Sequence, residues 1–117
     1  MAGYFGNACA RYVRQGIVKV NNINWTPLYA GTAELENRQW VKIQPRGRDT
    51  IRVAIKYVVR DVNGNFTAPT DSAHDAIVYP TTSVIEEPIG DSVRIYARGV
   101  QNGGTSGGFK VVIAEYA

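Results

Sequence analysis

Asp71-Ser72-Ala73-His74-Asp75 carries the only histidine of the chain beside a hydroxyl and two carboxylates. Those residue types can form a nucleophile, its base and an orienting acid. Groups acting on one substrate atom usually converge from separated segments, so close neighbours in one loop rarely do so. The stretch reads as an exposed polar loop. Cys9 is the only cysteine, which excludes an intrachain disulfide and a cysteine-rich zinc site. It has no cation or helix start beside it to create a reactive thiolate.

Asp61-Val62-Asn63-Gly64-Asn65 places oxygens at alternate positions, as the opening of a calcium loop does. Its glycine comes two places early for an EF-hand, and Ser72 stands where a bidentate glutamate belongs. An Asn-Gly hairpin turn with both central residues at positive φ accounts for the same residues. Gly103-Gly104 and Gly107-Gly108 lack the strand–loop–helix setting and the following Lys-Ser/Thr of a phosphate cradle. No catalytic residue, metal ligand or cofactor is expected, and the chain is not expected to be an enzyme.

The remaining candidates are basic and aromatic side chains on strands. In Thr50 to Arg60 (TIRVAIKYVVR), Ile51, Val53, Ile55, Tyr57 and Val59 share one parity and Arg52, Lys56 and Arg60 the other. In Ser92 to Val100 (SVRIYARGV), Val93, Ile95 and Ala97 oppose Arg94, Tyr96 and Arg98. Strand side chains alternate between faces, so each segment has an apolar inner face and a basic outer one. Arginines flanking a tyrosine suit a protein interface. They could also carry single-stranded nucleic acid, or form a solvated face whose charges block aggregation. A protein interface is the functional expectation, and nucleic acid is not expected.

Further strands are predicted over Arg11–Val20, with a bulge or bend at Gly16, over Arg38–Gln44, ending at Pro45, and over Phe109–Tyr116. Short ones are predicted at Ala76–Tyr79 and Thr82–Glu87. Trp25–Gly31, interrupted by Pro27, reads as an edge strand or irregular connection, and residues 32–37 as a brief strand or helical turn. Seven to nine short strands separated by turns predict an all-β fold, a mainly antiparallel sandwich of jelly-roll or immunoglobulin-like type. The 117 residues suffice for one domain with its own core, placed at 11–117. Residues 1–10 read as an N-terminal arm whose adjacent Tyr4 and Phe5 could be buried by a neighbouring subunit, which predicts a homo-oligomer.

The formal charge of +3 is only mildly basic. No apolar stretch approaches the roughly 20 residues that cross a bilayer, so no membrane partner is expected. No secretory leader is evident, which leaves the Asn65-Phe66-Thr67 sequon without a route to glycosylation.

WVKIQPRG (Trp40 to Gly47), IRVAIKY (Ile51 to Tyr57), TTSVIEEPIGDSVRIYARG (Thr81 to Gly99) and FKVVIAEYA (Phe109 to Ala117) occur in an order that resembles small phage virion proteins of β-sandwich type. These include capsid decoration and other auxiliary structural proteins, and the resemblance spans residues 38–117. It implies a non-enzymatic, repeated structural subunit made in the host bacterial cytoplasm and built into the virion. Its implied partners are the major capsid protein or other virion proteins. A neck or tail component is compatible with the same resemblance. A carbohydrate- or receptor-binding module of a fibre is the rival class, with Trp25, Tyr29 and Trp40 as its aromatic platform.

Overall fold

A computed structural model describes residues 12–46, 52–78, 85–100 and 109–117. The proposed arm, with Tyr4, Phe5 and Cys9, lies outside the described residues, as does Ile51. The described chain is all strand and connection: β1 (Val13–Val20), β2 (Thr26–Leu28), β3 (Trp40–Arg46), β4 (Arg52–Val59), β5 (Ala76–Val78), β6 (Ile85–Glu87), β7 (Val93–Val100) and β8 (Phe109–Tyr116).

Two four-stranded antiparallel sheets form, in the orders β1-β8-β3-β6 and β2-β7-β4-β5. First pairs with last, second with seventh, third with sixth and fourth with fifth, as in one long hairpin rolled over itself. That is jelly-roll order, and it decides between the two sandwich types the sequence allowed. The inward parity of each long strand fills the space between the sheets. Val41, Ile43, Val53, Ile55, Ile95, Val111 and Ile113 are all fully or almost fully buried. Val93, expected among them, is half-buried.

Three local expectations change. β3 does not stop at Pro45 but runs through it, with Pro45 opposite Val111 on β8. Ala117 bonds Tyr12 on one side and Tyr116 accepts from Gln39 on the other. Alternation then directs the backbone groups of Pro45 away from β8, beyond the last described residue pair with β6. The missing N–H therefore breaks no bond of the β3–β8 ladder. Gly16 makes no bulge, since β1 pairs with β8 without interruption. It is small because a Cβ there would lie 3.0 Å from the Cα and carbonyl oxygen of Ala30. At the Asn-Gly step only Gly64 takes positive φ, 82°. The turn is closed by Gly64 N–H to Asp61 O and locked by the Asp61 carboxylate, which accepts from Asn63 and Asn65 N–H.

Residues 29–39, which connect the sheets, form no strand. They are held by a buried carboxylate. Glu115 shares the inward parity of Val111 and Ile113 and is fully buried. Its Oε1 accepts from Ala30 N–H at 2.8 Å and Arg14 Nη2 at 3.1 Å. Its Oε2 accepts from Leu35 N–H at 3.0 Å and Arg38 Nη1 at 2.8 Å. Arg38, itself buried, donates onward to the carbonyls of Ile89, Gly90 and Val93. One ion cluster thus fastens β1, β8, the 29–39 connection and the β6–β7 turn.

Burial pushes the Glu115 carboxyl up, but the two backbone N–H groups and the two guanidiniums outweigh it. The carboxyl is held below the usual glutamate range. Its stabilisation is therefore complete above an ordinary glutamate pKa of about 4.3 and drains away as pH falls through the lower folded value. Glu115→Gln should lower unfolding free energy at pH 7 by roughly 3–5 kcal/mol, as for other broken buried pairs. Urea unfolding at pH 6 and pH 3 should show the gap to the wild type narrowing in acid.

Candidate functional site

The two outer faces of the sandwich differ in how far their side chains are committed within the chain. On β2-β7-β4-β5, the alternation of β4 and β7 brings Arg52, Lys56, Arg94, Tyr96 and Arg98 to the outer face, with Arg60 just beyond β4. The residues between β4 and β5 fold back across this face. Asp75 bonds the backbone of Ile55 and Tyr57, and Asp71 accepts Lys56 Nζ at 3.0 Å. That contact, first by its hydrogen bond and then by its charge, lowers the Asp71 pKa.

Most of these side chains meet partners within the chain. Arg94 forms a two-pronged pair with Glu34 at 2.9 and 3.1 Å. Its guanidinium carbon also lies 4.5 Å from the Phe66 ring centroid and 5.4 Å from that of Tyr29. Arg60 covers Phe66 at 5.1 Å and donates to Asp91 O. Arg98 lies over Trp25 at 5.1 Å, and the Trp25 indole N–H is bonded to Asp71 O. Tyr96 is 4% exposed, between Pro27 and Lys56 in register. Arg52 sits opposite Val100 at the far end of β4. The structure brings the expected basic and aromatic residues together and uses them to hold connections down. Arg60 and Arg94 together latch Phe66 onto this face, and a shallow cavity of about 590 Å³ remains beside that latch, lined by Glu34, Glu36, Arg60, Asn65, Phe66 and Arg94.

The outer face of β1-β8-β3-β6 is different. Register lays residues in rows across three strands: Val13, Tyr116, Trp40; then Gln15, Ala114, Lys42; then Ile17, Val112, Gln44. Val13, Ile17 and Trp40 are 51%, 52% and 41% exposed. A groove of about 140 Å³ runs between Gln15, Lys42, Gln44, Val112 and Tyr116. Exposed Lys19 and Lys110 stand directly opposite one another at one end, with Arg46 next in register. Like charges so placed repel, a cost that an acidic partner would reverse. The ion pair described on this face, Lys42 to Glu86 at 3.5 Å, is solvent-exposed and worth little.

His74 is exposed and its loop is tied down through Asp71 and Asp75. Among the described residues no group of three or more His, Cys, Asp or Glu side chains could hold a metal ion. No described helix is long and apolar enough to cross a membrane. The sequence reading missed Glu115, Arg38, Arg14 and Glu34. For Glu115 the signal was present: a charged residue at core parity, in step with Val111 and Ile113. No family model matches the chain, and no curated protein is significantly similar to it.

Phe66 is the anchor of the latch, gripped by two guanidiniums worth about 0.5–1 kcal/mol each at a partly exposed site. Phe66→Ala should raise amide exchange at Asn63 and Asn65 by about 5–30-fold, the factor expected for 1–2 kcal/mol. The amides of Ile55 and Ile95 should keep their protection in the same experiment.

Proposed function

We propose that this protein is a non-catalytic structural subunit of a phage virion, an auxiliary capsid or decoration protein made in the host bacterial cytoplasm. In this reading it binds the capsid lattice through the outer face of β1-β8-β3-β6. The observation that carries it is the contrast between the faces. One spends its cations and aromatics on internal contacts, while the other presents exposed aliphatic side chains and Trp40, with Lys19 and Lys110 set opposite one another at the far end and in no ion pair among the described residues. An apolar centre with aromatic anchors and a polar rim is the anatomy of a protein-binding patch. Jelly rolls recur in viral capsids and in lectins, so the fold is compatible with the reading but does not select it. The resemblance of residues 38–117 to virion proteins supplies the rest. The lattice surface it fits is apolar with an acidic margin.

The carbohydrate- or receptor-binding alternative needs an open aromatic platform. Trp25 and Tyr29 lie under Arg98 and Arg94, so of the three expected platform residues Trp40 is the one left uncovered, on the opposite sheet. A neck or tail position would use the same exposed face on a different partner.

Co-sedimentation with purified capsids, necks and tails of the cognate phage tests the proposal. The wild type should pellet with capsids. Trp40→Ala should weaken that binding about 30-fold, the effect of a 2 kcal/mol anchor, and Lys110→Glu should weaken it further at low salt than at high salt. Pelleting with necks or tails alone would move the subunit to those structures. Binding to no particle, with glycan binding that is lost in Trp25→Ala, would replace the proposal by its rival.

A further inference from the structure

Among the described residues, three of the four outer strands, β2, β5 and β6, span three residues each. The fourth, β1, has eight residues. Short edges offer little backbone to a stranger, whereas a long one is a template for a further strand. Tyr12 and Ala117 exchange both backbone hydrogen bonds at 3.0 and 2.9 Å. Alternation from that pair turns Arg14, Gly16, Val18 and Val20 toward β8, and turns the N–H and C=O of Val13, Gln15, Ile17 and Lys19 to the open edge. Among the described residues no strand pairs along that edge.

We infer that β1 pairs antiparallel with β1 of a second copy, about a twofold axis at Ile17, joining two four-stranded sheets into one. An antiparallel edge is its own complement, because each outward N–H and C=O meets its equivalent when the strand is turned end for end. Side chains select the register. With Ile17 opposite Ile17, Gln15 faces Lys19 of the second copy. The two Lys19 ammoniums stay apart, and like-charge opposition across strands is avoided. The half-exposed Ile17 side chains are then covered by one another at the centre of the joined face. Gly16 falls opposite Val18 on the inner parity, so no charged side chain is set against another there. Strand addition of this kind takes its affinity from main-chain bonds and its register from alternate side chains. The inference does not depend on the virion reading, and it would hold for the isolated protein.

Light scattering and amide exchange on the full chain test it together. The wild type should show twice its 12.8 kDa chain mass at tens of micromolar and dissociate on dilution. In the concentrated sample the amides of Gln15, Ile17 and Lys19 should exchange at least tenfold more slowly than in the dilute one. Those of Arg14, Gly16 and Val18, already bonded to β8, should not change. Ile17→Pro deletes an outward N–H and no bond to β8, so it should weaken dimerisation at least tenfold while circular dichroism stays that of the folded sandwich. Ile17→Lys keeps the N–H but sets two ammoniums face to face, and should dissociate the dimer at low salt with partial recovery at high salt. A wild type that stays monomeric would overturn the inference. So would dimers unaffected by either substitution, or protection that does not alternate along β1. Loss of the dimer on deleting residues 2–11 while Ile17→Pro retains it would assign association to the arm instead.

Discussion

The structure depends on a single fully buried carboxylate. Taking Glu115 out of water costs several kcal/mol, and that cost is offset only if each oxygen is met by donors of good geometry. Four donors meet it, one from β1 and three from the 29–39 connection, all 77 to 101 positions from Glu115 in sequence: Arg14, Ala30, Leu35 and Arg38. The requirement runs outward from there. Arg38 is buried too, and its remaining N–H groups have to be satisfied, which fixes the carbonyls of Ile89, Gly90 and Val93 around it. A connection with no regular structure of its own is thereby given one conformation, and Asn37 is held there at a φ of 61°.

From that fixed connection follows the difference between the two surfaces. Residues 29–39 carry Tyr29 and Glu34 to the edge of the β2-β7-β4-β5 sheet, where both engage Arg94. Arg94 in turn grips Phe66, and Asp71 and Asp75 bring the rest of that crossing onto Lys56 and β4. Tyr57 feels the same crowding from the inner side. Burial first, then the Glu87 carboxylate 3.3 Å from its hydroxyl, pushes its pKa up to about 12. Cations on a sheet need not be a docking site; here they are fasteners. The face of the other sheet has no such cover among the described residues, which is why the functional proposal rests on it.

Much of the fold was legible in alternation. The apolar parity of Val53 and Ile55, of Ile95 and Ala97, and of Val111 and Ile113 marked the core, and Pro27 marked an edge strand. Parity also gathered Arg52, Lys56, Arg94, Tyr96 and Arg98 onto one face. It could not show that Glu34, Asp71, Phe66 and Trp25 would reach them, because those contacts join residues 15 to 73 positions apart, and the partners lie outside the long alternating strands. Pro45 misled for a related reason: whether proline ends a strand depends on which neighbour its nitrogen faces, and that is a property of the sheet. The open face was hidden because Val13 and Ile17 lie on one strand and Trp40 on another, and only strand order brings the two together across β8.

A double-mutant cycle between Glu115 and Arg38 tests most directly whether one buried pair organises the molecule. Unfolding free energies would be measured for Glu115→Leu, Arg38→Leu and both together. If the pair is the fastening described, each single change leaves the other charge buried and costs roughly 3–5 kcal/mol. The double variant should then cost at least about 2 kcal/mol less than the sum of the singles. Single losses below about 1 kcal/mol that simply add would contradict the account, and would mean that apolar packing alone holds the 29–39 connection in place.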